Sequence, residues 1–420
     1  MINVEMRQYG KERSAIRELF EKGKVLKEKY GESNVFDFSL GNPSIPCPEI
    51  VNNTLINLLK NAKNLDNNIS SFDANYINKY RKLSSTDLHG YSSAQGDKLV
   101  RDAISAYLNK TYDADTTSDF IYLTSGAAAG LTISLKALTN GNVNEEVIVF
   151  APFFPEYTVF IKNANAKPII VEPDYETFYP DLNDFKNKIT KNTSVVIINS
   201  PNNPTGALYN EQTIIDICNI LKEKEREYNH PIYIISDEPY RELIYVDKKY
   251  PFITNYYNNS IITYSFSKSL SLPGERIGYI LVNKNATDAI DIYSAVCGSG
   301  RSLGYVCAPT LFQYSIPYVL GFTSDTSVYK NNAKIFYDEL TKIGYKVIKP
   351  DGAFYLFVKS LCDDDKEFSN KALEYNLLIV PSESFGIKGY IRIAYCVSEK
   401  QIKASIPKFN ELYQYYKNCK

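Results

Sequence analysis

The chain contains no tryptophan, two methionines and two histidines in 420 residues. With only His89 and His230 available, a histidine-based metal site or a serine–histidine–aspartate triad would have to use one of them. Neither lies near a partner motif. The seven cysteines, at 47, 218, 297, 307, 362, 396 and 419, are odd in number and nowhere spaced C-x-x-C. That argues against a disulfide framework or a zinc cluster and for structural thiols. Neither sign of charge is in excess: 47 Lys and Arg stand against 48 Asp and Glu. The chain therefore has no overall positive field for phosphate backbones or anionic lipid, and nucleic acid is not an expected partner. A long apolar run is also lacking. The start carries Glu5, Arg7, Lys11, Glu12, Arg13, Arg17 and Glu18, which excludes the apolar core of a signal peptide. No later stretch is apolar enough to span a bilayer, so no membrane partner is expected and the location expected is cytoplasmic. What abounds is tyrosine, 35 residues, with many Asn, Ile and Lys, a compositional bias without a functional reading. An apolar content of 44% with 23% charged residues is ordinary for a globular chain and excludes disorder, collagen and coiled coil.

From about residue 120 short β-branched runs alternate with amphipathic stretches, the pattern of β-α units that build a parallel sheet covered by helices. The runs are 120–124, 147–151, 168–172, 194–199, 232–236, 261–265 and 277–282, several apolar nearly throughout, as for strands buried on both faces. After about 303 the rhythm predicts one long helical stretch to 340, short strands at 345–349 and 353–358, a helix near 368–375, strands at 377–380 and 390–395, and a closing helix over 399–416. Residues 36–40 are a further short strand able to join this second unit. The expected division is 1–48, an N-terminal segment joining the small domain, 49–304, a large domain, and 305–420, a small α+β domain. The polar stretch 61–86 reads as a long surface excursion.

Unusual residues cluster where predicted strands end, the edge at which open α/β sheets place ligands. After 120–124 comes Ser125-Gly126-Ala127-Ala128-Ala129-Gly130, small residues opening a helix whose N–H groups suit a phosphate. A plain strand-to-helix turn would have the same composition. After 194–199 comes Ser200-Pro201-Asn202-Asn203-Pro204-Thr205-Gly206, in which two prolines stiffen the loop that presents the asparagines. The next strand ends in Ser236-Asp237-Glu238-Pro239-Tyr240. An acid at the mouth of a buried strand is costly without a partner, although it could also cap a following helix. The strongest signal is Ser265-Phe266-Ser267-Lys268, with Arg276 eight residues on. A lysine held in a partly desolvated, cation-flanked site loses its proton readily and attacks carbonyls. A hydroxyl and a guanidinium beside it suit an aldehyde that also bears a phosphate.

These blocks, with Leu40-Gly41-Asn42-Pro43, Ala151-Pro152-Phe153-Phe154 and Gly389-Tyr390-Ile391-Arg392, resemble in order the class I/II aminotransferases, the fold type I pyridoxal-phosphate enzymes. The resemblance covers essentially the whole chain. It implies a three-layer α/β/α large domain with a mostly parallel sheet plus a smaller α+β domain. It also implies a cofactor, pyridoxal 5'-phosphate, and a ping-pong exchange of an amino group between an L-amino acid and a 2-oxo acid. By the same resemblance Lys268 is the Schiff-base lysine and proton shuttle, and Asp237 pairs with the pyridine nitrogen. Tyr240 and Asn203 face the ring's phenolic oxygen, and Phe154 stacks on the ring. The Gly126–Ala127 backbone, Ser265 and Arg276 take the phosphate. Arg392, with Gly41 and Asn203 nearby, grips the substrate carboxylate, and Tyr91, in Gly90-Tyr91-Ser92, reaches across a homodimer interface. Two departures stand out. Ala127 replaces a hydroxyl that many relatives carry, and no arginine matches the one that reads a dicarboxylate side chain. Arg301, in Gly298-Ser299-Gly300-Arg301, lies in that region without a clear match, so side-chain preference stays open.

Other readings compete. The Gly298-Ser299-Gly300 run lacks the spacing and position of a dinucleotide turn, which excludes a nicotinamide dehydrogenase. A non-catalytic ligand-sensing protein on the same scaffold would need a basic DNA-binding domain, for which the first 48 residues are too short and too mixed in charge. A C–S lyase performing β-elimination is the enzymatic alternative, because the cofactor permits both reactions and the protein selects between them.

Overall fold

The computed structural model describes residues 2–11, 15–60, 83–141 and 144–419. In it the apolar runs become strands whose alternate side chains enter two different cores. After a short β1 (Phe36–Asp37), the strands β2 (Ile121–Thr124), β3 (Glu146–Phe150), β4 (Lys167–Val171), β5 (Thr193–Asn199), β6 (Tyr233–Asp237), β7 (Ser260–Ser265) and β8 (Gly278–Val282) form one seven-stranded sheet, in the order β2-β8-β7-β6-β5-β3-β4. Ile148, Val196, Ile198, Ile234, Ile262 and Leu281 face one core, shared with the helices Glu49–Lys60, Lys98–Tyr112 and Glu211–Tyr228. Val147, Val149, Val195, Ile197 and Ile235 face the other, with the helices Ala127–Leu138 and Glu156–Asn163. Burial on both faces explains why these strands read as apolar throughout rather than alternating.

The sheet is mixed. β8 runs antiparallel to both β7 and β2, while the other pairs are parallel. The link from β7 to β8 contains only the four-residue helix Phe266–Ser269, too little to carry the chain back over the sheet for a parallel return. The other six strands therefore end at one edge. There Asn199 is in register with Asp237, Asp237 with Thr263, and Gly278, at the start of β8, with both Ser265 and Thr124.

The second unit has a four-stranded antiparallel sheet, in the order β12-β13-β10-β9, built from β9 (Val347–Ile348), β10 (Tyr355–Lys359), β12 (Val380–Pro381) and β13 (Tyr390–Ala394). β11 (Leu377–Leu378) pairs instead with β1, parallel, so residues 36–37 do join this unit. The run expected at 377–380 is thus split between two sheets. The strand expected at 345–349 shrinks to two residues. After the helix Ala289–Ser302, the single helical stretch expected from about 303 to 340 is broken into Thr310–Val319 and Ser327–Ile343. Pro309 stands before the second helix and Gly321, at φ +83°, after it. The helix Thr310–Val319 buries Tyr314, Ile316 and Val319 in the core of the seven-stranded sheet, not in that of the smaller one. Of the polar stretch 61–86, residues 61–82 lie outside the described residues. Beyond them a short helix, Ser85–His89, opens with a reciprocal cap between Ser84 and Asp87. All seven cysteines are free, and among the described residues no helix is long and apolar enough to cross a membrane.

Candidate active site

A cavity of about 560 Å³ opens where β5, β6 and β7 end, between the two sheets. Asp237, the last residue of β6, is buried at its floor. The phenol of Tyr157 donates to one carboxylate oxygen at 2.6 Å and the hydroxyl of Thr263 to the other at 3.3 Å. Burial pushes this carboxyl up to about 7, against the pull of these two hydrogen bonds, and the neighbouring Glu238 carboxylate adds to the rise. No helix follows Asp237, so it does not act as a cap. Glu238 faces away and is satisfied separately. It pairs with Arg241 at 2.9 Å, and that guanidinium lies 4.3 Å from the ring centroid of Tyr264 and 4.7 Å from that of Tyr112.

A buried carboxyl that keeps its proton in the folded chain makes stability depend on pH. The unfolded group releases its proton near 3.8 and the folded one near 7, so between these values the folded state binds more protons and loses stability as pH rises. The loss is on the order of 4 kcal/mol at most. Cofactor-free Asp237→Asn, compared with cofactor-free wild type at about pH 5 and pH 8, should therefore lose less of its denaturation midpoint on going to the higher pH. Equal losses would show that this carboxyl does not carry the dependence.

Lys268 sits on the helix Phe266–Ser269, which the Ser265 side chain caps by accepting from Ser267 N. Its amine donates to the Gly41 carbonyl at 2.8 Å and lies 5.3 Å from the centroid of the Phe354 ring. Burial brings it down to about 8; nearby Cys396 opposes this, and the positive Arg392 and Arg276 reinforce it. Around one end of the cavity lie Ala127, Ala128, Ser265, Ser267 and Arg276. Gly126, at φ +82°, turns the chain into the helix Ala127–Leu138, and a Cβ there would stand 2.5 Å from the Arg276 guanidinium. That guanidinium donates to the carbonyls of Pro273 and Ser125. The arrangement combines free helix N–H groups, hydroxyls and a cation, a donor set for an anion such as phosphate.

At the other end Arg392 projects from β13 and is almost completely buried. It donates to Asn203 Oδ1 at 3.0 Å and to the Ser39 carbonyl, and its guanidinium lies over the rings of Tyr355 and Phe385. Its Nε, itself buried, has no hydrogen-bond partner among the described residues. A buried guanidinium that lines the cavity fits a carboxylate arriving there. Ser39, Leu40 and Gly41 each present a carbonyl to a side chain at the site: to Arg392, to the thiol of Cys396 at 3.7 Å and to Lys268, respectively. Phe154 lines the cavity edge-on to Tyr157, and Tyr240 places its hydroxyl 2.9 Å from that of Tyr355.

Ten of the sequence-predicted residues thus line one cavity: Gly41, Ala127, Phe154, Asn203, Asp237, Tyr240, Ser265, Lys268, Arg276 and Arg392. Gly126 forms the turn at its edge. Two do not join them. Tyr91 is 89% exposed and outside the lining of its own chain's cavity, and Arg301, near the end of the helix Ala289–Ser302, is exposed and also outside it. Gly298 and Gly300 are interior residues of that same helix. Asn202 is not presented to the cavity. It braces its own loop, accepting from Thr205 and donating to Pro152 O. Three residues were missed: Tyr157, Tyr355 and Asn199, whose side chain donates to Asp237 O and accepts from Asn203 N. Asn199 was legible as the end of its strand. The two tyrosines carried no signal among 35.

The family described as "Aminotransferase class I and II" matches residues 53–408. A "Probable aspartate aminotransferase" of Methanocaldococcus jannaschii is 30% identical, over 96% of this chain and 97% of its own. A "(5-formylfuran-3-yl)methyl phosphate transaminase" of the same organism is also 30% identical, over 76% of this chain and 82% of its own. The crystal structure of an amino transferase from Eubacterium rectale superposes with a TM-score of 0.92 at 48% identity, covering 99% of both chains. The chain belongs to the class I and II aminotransferases, enzymes of fold type I that use pyridoxal phosphate to move an amino group between an amino acid and a 2-oxo acid.

Proposed function

We propose that this chain performs its transamination on Lys268, with Asp237 and Arg392 fixing the two partners of the reaction. One observation carries the reading: a lysine amine brought down to about 8, a buried carboxyl and a buried arginine all line the same cavity. The donor set suits the cofactor. The Gly126–Ala127 backbone, Ser265 and Arg276 would hold its phosphate, Asp237 its ring nitrogen, Tyr240 and Asn203 its phenolic oxygen, and Phe154 one ring face. When bound, pyridoxal phosphate supplies an electron sink for the electrons released at the substrate α-carbon. Lys268 accepts and returns the proton at that carbon. At about 8 it is neutral in roughly a tenth of molecules at neutral pH, far more than a free lysine would be. Arg392 would hold the α-carboxylate by its guanidinium, with Gly41 and Asn203 beside it.

Tyr91, exposed on its own chain, is assigned to the site of a second copy in a two-fold homodimer, and the location proposed is cytoplasmic. Packing moves the proposed boundary of the large domain past the helix Thr310–Val319. The two relatives from one organism, alike in identity and different in named substrate, leave the substrates of this chain open. L-Aspartate and L-glutamate are the first donors to test. The absorption of protein loaded with pyridoxal phosphate should show a visible band that moves to the near-ultraviolet on adding an amino donor alone, with release of the matching oxo acid. Pyruvate and ammonia released without an acceptor would favour β-elimination, and no visible band at all would overturn the assignment to Lys268.

A further inference from the structure

Tyr355 opens β10 and touches two residues that line the cavity, Tyr240 and Arg392. Its hydroxyl lies 2.9 Å from that of Tyr240, the two rings meeting edge to face with centroids 5.8 Å apart. The guanidinium of Arg392 stands 4.6 Å above its ring centroid. It is buried, and residue 41 must be glycine to admit it, because a Cβ there would lie 2.0 Å from the Tyr355 hydroxyl oxygen. A phenylalanine would provide the ring contact equally well. The hydroxyl has no partner but Tyr240 among the described residues.

We propose that Tyr355 is a positioning residue that couples the arginine gripping the substrate carboxylate to the tyrosine facing the cofactor's phenolic oxygen, holding the first with its ring and the second with its hydroxyl. The inference rests on the function proposed above and adds a residue to it. Tyr240 has one proton. Once that proton is given to an acceptor in the cavity, its oxygen is free to accept from Tyr355, and the two hydroxyls form a donor chain. Each bond in such a chain polarises the next, so Tyr240 becomes a stronger donor than it would be alone. The charged and titratable groups facing the pair are Arg392 and Asp237 around Tyr240, and Arg392 and Cys396 around Tyr355. All of them stay in place when only the hydroxyl is removed.

Wild type, Tyr355→Phe and Tyr355→Leu, each loaded with pyridoxal phosphate, are titrated by visible absorbance over about pH 5 to 10, and KM is measured for the amino donor that wild type uses. Tyr355→Phe weakens the stabilisation of the anionic phenolic oxygen. Its midpoint is expected to rise by about 0.3 to 0.6 pH unit, with KM held within about twofold. Tyr355→Leu should show the same rise together with a KM increase of about 5- to 30-fold, because Arg392 loses its aromatic support. A Tyr355→Phe midpoint equal to that of wild type overturns the coupling, as does an equal KM increase in both variants. A wild-type protein without a pH-dependent visible band would overturn the underlying assignment, and the inference with it.

Discussion

Lys268→Ala should still take up pyridoxal phosphate, because the phosphate donors and Asp237 are untouched, but turn over at least about 10⁴-fold more slowly. Two functions disappear together, the covalent hold and the proton carrier. No other side chain in the cavity replaces them. The other cations that line it among the described residues, Arg17, Arg276 and Arg392, are arginines, which do not give up a proton near neutrality. The fold should pay little, since the lysine's one hydrogen bond is to the carbonyl of Gly41. Intact mass after borohydride reduction checks the covalent part: wild type should retain the cofactor's mass and the variant should not. Turnover within about tenfold of wild type would remove Lys268 from the mechanism.

Asp237→Ala should slow turnover on the order of 10²- to 10³-fold, by loss of the charge proposed to keep the cofactor ring an electron sink. The same change removes a carboxyl whose burial is unfavourable until a cationic partner arrives. Above about pH 7 the cofactor-free variant is therefore expected to be no less stable than wild type, apart from what the Tyr157 phenol loses with its acceptor. Activity falls while stability is held, and this separates a functional carboxylate from a structural one. Single-turnover rates of α-proton abstraction and denaturant midpoints, read side by side, test it. An unchanged abstraction rate would count against the role.

Much of this site was readable because the residues that build it sit at the ends of buried strands. Asp237, Ser265 and the turn at Gly126 follow runs that are apolar on both faces, so a polar residue there stands out against its background. Lys268 and Arg276 stood out by their spacing within one short connection. Residues that act across the chain were harder to read. Tyr157 and Tyr355 are joined to Asp237 and Tyr240 by hydrogen bonds spanning 80 and 115 residues, and in a chain with 35 tyrosines neither is conspicuous. The helix breaks after 302 and the split of 377–380 between two sheets arise from packing between distant segments, which local periodicity does not record. Arg301 shows the reverse case, a residue singled out by neighbourhood in sequence and left outside the cavity by the helix that carries it.

Three consecutive carbonyls, those of Ser39, Leu40 and Gly41, bear on Arg392, Cys396 and Lys268. Peptide planes are rigid, so the spacing between the outer two carbonyls is restricted to what two intervening backbone units allow. Arg392 belongs to the smaller sheet and Lys268 to the edge of the larger one, and the strip between them works as a gauge. It refers the guanidinium proposed to grip the carboxylate and the amine proposed to carry the cofactor to one short length of covalent chain, whereas the packing of the two sheets alone would leave their separation free to drift.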